Sequence, residues 1–123
     1  MSDLQSNPQL KLPLFGRING QPSIVPTAYV TACKTYREAV RLCWDKRRVE
    51  SHTQRDLAFL SGLRPQFVSD YLNKDDKPFR RDLPAEDIAA FEAVAGNTLV
   101  TQWVAARQAL TVLEEMQATR ALA

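Results

Sequence analysis

The chain of 123 residues is poor in the groups that build metal and redox centres: it has one histidine, His52, and two cysteines, Cys33 and Cys43. The cysteines form no C-x-x-C pair, and one histidine leaves a zinc site short of ligands. No metal or cofactor is therefore expected, and the two thiols read as packing residues of a cytoplasmic protein. No apolar run approaches the ~20 residues that a membrane span needs, so no membrane partner is expected. The opening segment MSDLQSNPQLKLPLFG lacks the charged start, long apolar stretch and small-residue cleavage site of a secretory leader. Asp and Glu number fourteen, yet no spacing joins an acid–base pair to a nucleophile or a substrate pocket, and a non-enzymatic protein is expected. What is present is ordinary for one soluble domain: 45% hydrophobic and 24% charged residues.

Pro8, Pro13, Pro22 and Pro26, with Gly16 and Gly20, mark residues 1–26 as an extended arm without helical period. Periodicity begins after it. Tyr29, Cys33, Tyr36, Val40 and Cys43 recur at helical spacing and predict one helix from about Thr27 to Arg48. Lys34, Arg37, Arg41 and Arg48 lie on another face, which reads as solvated. Thr53 caps a helix that ends at Gly62, and Pro65 suits the first position of the next, which runs to Asn73. Leu83-Pro84 opens a helix bearing Ile88, Phe91 and Ala95 and closed by Gly96. Asn97 or Thr98 caps a fifth, with Leu99, Trp103 and Val104. Thr111-x-x-Glu114 is a capping-box pattern that starts a C-terminal helix with Leu113 and Met116. No strand alternation occurs. The expected fold is all-α: a compact bundle of five to six helices over 27–123, its C-terminal helices spanning 84–123. Tyr29, Tyr36, Trp44 and Trp103 read as core.

The informative stretch is 53–73, TQRDLAFLSGLRPQFVSDYLN. Two short helices flank Ser61-Gly62-Leu63, where glycine permits a positive φ. Leu57, small Ala58, Leu63, Val68, Tyr71 and Leu72 can pack between them. Arg64, Gln66, Ser69, Asp70 and Asn73 then face outward. Arg can donate in bidentate fashion to guanine, Gln can pair with adenine, and Ser suits a base or a phosphate.

On these residues (Gln54-x-x-Leu57-Ala58-x-x-x-Gly62-Leu63, then Val68, Ser69 and Leu72-Asn73) the segment resembles the helix-turn-helix of the lambda-repressor-like Cro and repressor regulators. The resemblance implies a phosphate contact at Gln54 and a second helix in the major groove, with Arg64, Pro65, Gln66, Ser69 and Asp70 facing DNA. Two positions depart from the pattern: polar Ser61 stands where an apolar residue is usual, and Pro65 where a donor would serve. The stretch 88–108, with its Gly96-Asn97 hinge, is similar to the helix pair that follows the motif in small phage and prophage regulators.

Charge is unevenly placed. From Lys34 to Arg81 there are twelve basic and seven acidic residues; from Asp82 onward there are two and six. A local positive field is the footprint expected of phosphate binding, and Lys74, Lys77, Arg80 and Arg81 are the expected grip on the flanking backbone. Such contacts fix register without reading sequence. The expected function is thus sequence-specific binding of double-stranded DNA in transcriptional regulation, with a homodimer on paired half-sites; Leu110, Leu113 and Met116 are a candidate partner surface or a closure of the monomer core. The alternative is a protein-interaction module, an adaptor or inhibitor of a host protein. In the arm, Gln9-Leu10-Lys11-Leu12-Pro13-Leu14-Phe15 resembles bacterial sliding-clamp-binding peptides. That resemblance implies a rim hydrogen bond at Gln9 and apolar pockets filled by Leu12, Leu14 and Phe15.

Overall fold

A computed structural model describes residues 21–108 and 112–122, with the side chains of the last helix described from Glu114 onward. Gln9, Leu12, Leu14, Phe15 and Leu110 lie outside the described residues, as does the Thr111 cap. Seven α-helices occur among the described residues: α1 Thr27–Ala32, α2 Tyr36–Asp45, α3 Gln54–Ser61, α4 Pro65–Leu72, α5 Ile88–Ala95, α6 Leu99–Gln108 and α7 Val112–Ala121. A 3₁₀ turn at Ala85–Asp87 precedes α5, so Leu83-Pro84 opens that region through a tighter turn than the sequence predicts. The all-α architecture is as expected, and none of these helices is long and apolar enough to cross a membrane.

The single helix expected over 27–48 is two. Cys33 leaves α1 with extended backbone, and Thr35 starts α2 by accepting a hydrogen bond from the Glu38 N–H. The Glu38 carboxylate in turn accepts from the Lys34 N–H at 2.8 Å. Thr35-x-x-Glu38 is thus a start signal inside the apolar seam. The seam survives the break: Cys33, Val40 and Cys43 are buried, while Tyr29 and Tyr36 pack against the core from its margin.

Helix α2 is the centre of the bundle, packing on α4, α5 and α6, while α3 packs on α4 and α5. Phe91, Leu57, Leu99, Val40, Val68 and Val100 are fully buried between these elements. Trp44 stacks at a tilt on Phe91, and Trp103 donates through Nε1 to the Cys33 carbonyl that the broken helix exposes.

Ser23 and Val25, expected within the extended arm, are buried against the helices. Ser23 pairs with the α5–α6 turn: its N–H donates to the Gly96 carbonyl, and its own carbonyl accepts from the Thr98 N–H. Val25 is buried and exchanges two backbone hydrogen bonds with the Gln102 amide. At the centre of this junction Asn97 has no exposed surface. Its Nδ2 donates to the carbonyls of Cys43 and Lys46, and its Oδ1 accepts from the Leu99 N–H and the Cys43 thiol. One amide therefore satisfies orphan groups at the end of α2 and the start of α6. Burial pushes the Cys43 thiol far above its ordinary range, so it is held protonated.

Candidate nucleic-acid interface

Helices α3 and α4 are joined by Gly62, Leu63 and Arg64. Gly62 ends α3 in the left-handed region (φ 79°), its N–H bonded to the Ala58 carbonyl. The start of α3 is a full capping box, with Thr53 accepting from the Asp56 N–H and Asp56 accepting from the Thr53 N–H. Polar Ser61 is satisfied locally: its hydroxyl bonds the Leu57 carbonyl and accepts from the Leu63 N–H. A hydroxyl therefore serves at this position by bracing the turn. Pro65 takes the first position of α4 with no side-chain cap before it.

Leu57 and Ala58 bury one face of α3, and Val68, Tyr71 and Leu72 bury one face of α4. The opposite face of α4 presents Arg64, Pro65, Gln66 and Ser69, all exposed, with Asn73 half-buried beyond its end. Gln54, at the first turn of α3, is exposed as well. It shares a polar cleft of about 390 Å³ with Arg41, Trp44 and Lys74. The structure thus brings Gln54 and Lys74 to the same cleft, at the junction of α2, α3 and the end of α4.

Asp70 is placed differently from the sequence expectation. Its carboxylate turns along the side of α4 and accepts from Arg80 at 3.2 Å and Arg81 at 3.1 Å, leaving the side chain 14% exposed. Partial desolvation opposes its ionisation, but the two arginine hydrogen bonds prevail and hold the carboxyl below its ordinary range. Arg80 also binds Asp75 through two nitrogens at 2.9 Å. Its guanidinium is committed within the protein, which corrects its expected role as a phosphate grip. Arg81 bonds Asp70 yet stays exposed, lying 4.2 Å over the Phe67 ring; Arg64 approaches the same ring at 5.4 Å. Lys74 and Lys77 are exposed and in no ion pair among the described residues.

The residues that position this surface come from the stripe read as solvated. Arg37 is 13% exposed at its side chain and donates to Asp76, Asp82 and the carbonyls of Asp70 and Asn73. Arg41 adds bonds to the Asn73 carbonyl and Asp76. The two arginines cap the C-terminal carbonyls of α4 and clamp the loop after it onto α2. Arg48, from the same stripe, bonds the carbonyls of Gln21 and Gly96. No local signal in the sequence distinguishes these arginines from solvated ones, since their targets lie far along the chain.

The clamp is built of carboxylates and should be acid-sensitive. The Arg80 hydrogen bonds draw Asp75 down to about 2, and those of Arg37 and Arg41 lower Asp76. A depressed folded-state value contributes stability above the unfolded value of about 3.9, lost as pH falls toward the folded value. Urea titrations between pH 5 and pH 2 should therefore show a steep loss for the wild type. Asp75→Asn should show a shallower one, because its contribution is already missing at pH 5.

A separate groove of about 490 Å³ lies between α5 and α6, lined by Ile88, Ala89, Glu92, Thr101 and Val104. Burial raises Glu92 above its ordinary range, and its carboxylate accepts from the N–H and hydroxyl of Thr101. Both oxygens are thereby occupied, and the role is structural. Compared with protein-family models, curated proteins and solved structures, the chain matches none of them.

Proposed function

We propose that the chain is a sequence-specific, double-stranded DNA-binding transcriptional regulator of the repressor type that reads the major groove with α4. The observation that carries this reading is the outward face of α4, where Arg64, Pro65, Gln66 and Ser69 stand exposed on a helix seated against α3 through an αL glycine. These groups complement base edges, guanine for Arg and adenine for Gln. Gln54, Lys74 and Lys77 supply backbone contacts around the face, and Arg37 and Arg41 hold α4 from behind. Asp70 acts by positioning Arg81. Motifs of this kind bind paired half-sites as dimers, and α7, whose described side chains are all exposed, supports a role in pairing two copies.

The test is binding of the purified protein to DNA from immediately upstream of its own gene, against scrambled DNA, across a salt series. Preference for the upstream fragment that persists at about 150 mM salt is the expected result; absence of binding to any duplex, even at low salt, overturns the reading. Arg64→Ala should cost about 1–3 kcal/mol on the preferred sequence and relax choice at one base, whereas Lys77→Ala should weaken all sequences alike.

A second reading, a protein-interaction module, is favoured by Phe59 and Leu60 on the outer face of α3, which are 84% and 54% exposed. Salt separates the two, because phosphate binding releases counterions and weakens steeply as salt rises.

A further inference from the structure

Phe79 is 66% exposed, at the tip of the turn that follows α4. The turn is closed by the Arg80 N–H on the Lys77 carbonyl, with Pro78 fixing its first corner. Exposed loops with an outward aromatic ring are ordinarily mobile, but this one is held from three sides. Arg37 and Arg41 bind it to α2, Arg80 binds Asp75 within it, and the same Arg80 binds Asp70 on α4. The carboxylates of Asp75 and Asp76 are engaged by these arginines, so they present no unpaired negative charge beside the ring. Lys77, in contrast, is exposed and sits 5.9 Å from the ring centroid.

The position of the ring follows from Arg80, which touches Asp70 at 3.2 Å and lies 4.9 Å from the Phe79 centroid. Phe79 therefore stands within about one guanidinium of Asp70 on the flank of α4. A helix with its side chains is roughly 10–12 Å across and fills a major groove of about 12 Å. A group just beyond its flank meets the sugar–phosphate strand that borders the groove, and past that strand the neighbouring minor groove. Lysine suits the phosphates. An apolar ring has no partner there except sugar faces and the base steps reached from the minor groove.

Resting on the reading of α4 given above, we propose that Phe79 is a minor-groove wedge: with Lys77 on the bordering phosphates, its ring enters beside the α4 site and partly unstacks one base step. The bracing arginines are positioning residues in this arrangement. They fix the ring before binding, so little ordering entropy is lost on contact.

The experiment uses the full chain and the duplex enriched by the wild type from a random-sequence pool. The enriched duplex carries 2-aminopurine at successive positions flanking the guanines whose N7 atoms the protein protects from methylation. Wild type should raise 2-aminopurine fluorescence at one step outside the protected guanines. Phe79→Ala should abolish that rise and weaken binding about tenfold, the scale of one lost base–aromatic contact, with N7 protection and thermal stability kept. Phe79→Leu should keep most of both signals, because an aliphatic side chain can also wedge, although it cannot serve as an aromatic seat for Arg80. No fluorescence rise with wild type, or a Phe79→Ala variant that matches wild type in rise and affinity, overturns the wedge while N7 protection leaves the α4 reading standing. Failure of wild type to enrich or protect any duplex overturns both.

Discussion

Replacing Gly96 by alanine should destabilise the fold by about 3 kcal/mol, while the same change at Gly62 should cost only about 1 kcal/mol. Both glycines end a helix with positive φ, 85° and 79°, so both substitutions carry the left-handed penalty. They differ in what the added Cβ meets. At Gly62 nothing lies within 4 Å; at Gly96 the new atom falls 2.7 Å from Arg48 Cβ and 3.0 Å from its Nε. Arg48 cannot step aside readily, because its N–H is bonded to the Ala95 carbonyl at 2.7 Å and its guanidinium to the carbonyls of Gln21 and Gly96. Urea denaturation of the two variants, side by side, measures the difference. Equal losses would mean that the Arg48 seat yields easily.

The second large effect belongs to Asn97. Asn97→Ala should cost on the order of 4 kcal/mol, since it strips partners from the Cys43 and Lys46 carbonyls and the Leu99 N–H and leaves a cavity. That is a large share of the 5–15 kcal/mol that typically holds a domain together. Asn97→Asp separates the two ends of the amide. It keeps the acceptor for Leu99 but turns a carboxylate toward the carbonyls that Nδ2 served. A carboxyl buried this way ionises only above its ordinary range, so the variant should lose stability as pH rises from about 4. Acidification from pH 7 to pH 5 should therefore narrow its deficit against wild type. An unchanged deficit over that range would show that the site relaxes to admit the charge.

Much of the helical layout was legible because it rests on local chemistry. Thr53 and Asp56, Gly62, Pro65 and Gly96 each act within one turn of where they stand, and the buried face of each helix follows its own period. The break at Cys33–Thr35 is masked in the sequence because the apolar seam runs unbroken across it. Thr35-x-x-Glu38 was the available signal, outweighed by a period that a kinked pair of helices satisfies as well as a straight one. The candidate surface was legible in part. Arg64, Gln66 and Ser69 face outward as their positions on the helix require. Asp70 does not, because the chain after α4 folds back and delivers Arg80 and Arg81 to it. Arg37 and Arg41 look like a solvated stripe until α4 and its loop are laid against them. Such pairings depend on tertiary placement, which helical periodicity does not encode.

The amide of Asn97 also sets an order of events during synthesis. Once the ribosome has released residues up to Leu72, both short helices of the candidate reading unit have emerged. Yet α2 still lacks the side chain that closes its end, and Ser23 lacks the turn it pairs with. Domains are made at roughly 5–20 residues per second and fold as units, so seating α4 on a finished scaffold waits for the chain to reach Thr98 and beyond. A truncated product ending after the loop would carry every exposed group of the α4 face and the arginines that clamp it, yet lack α5 and α6, against which α2 and α3 pack.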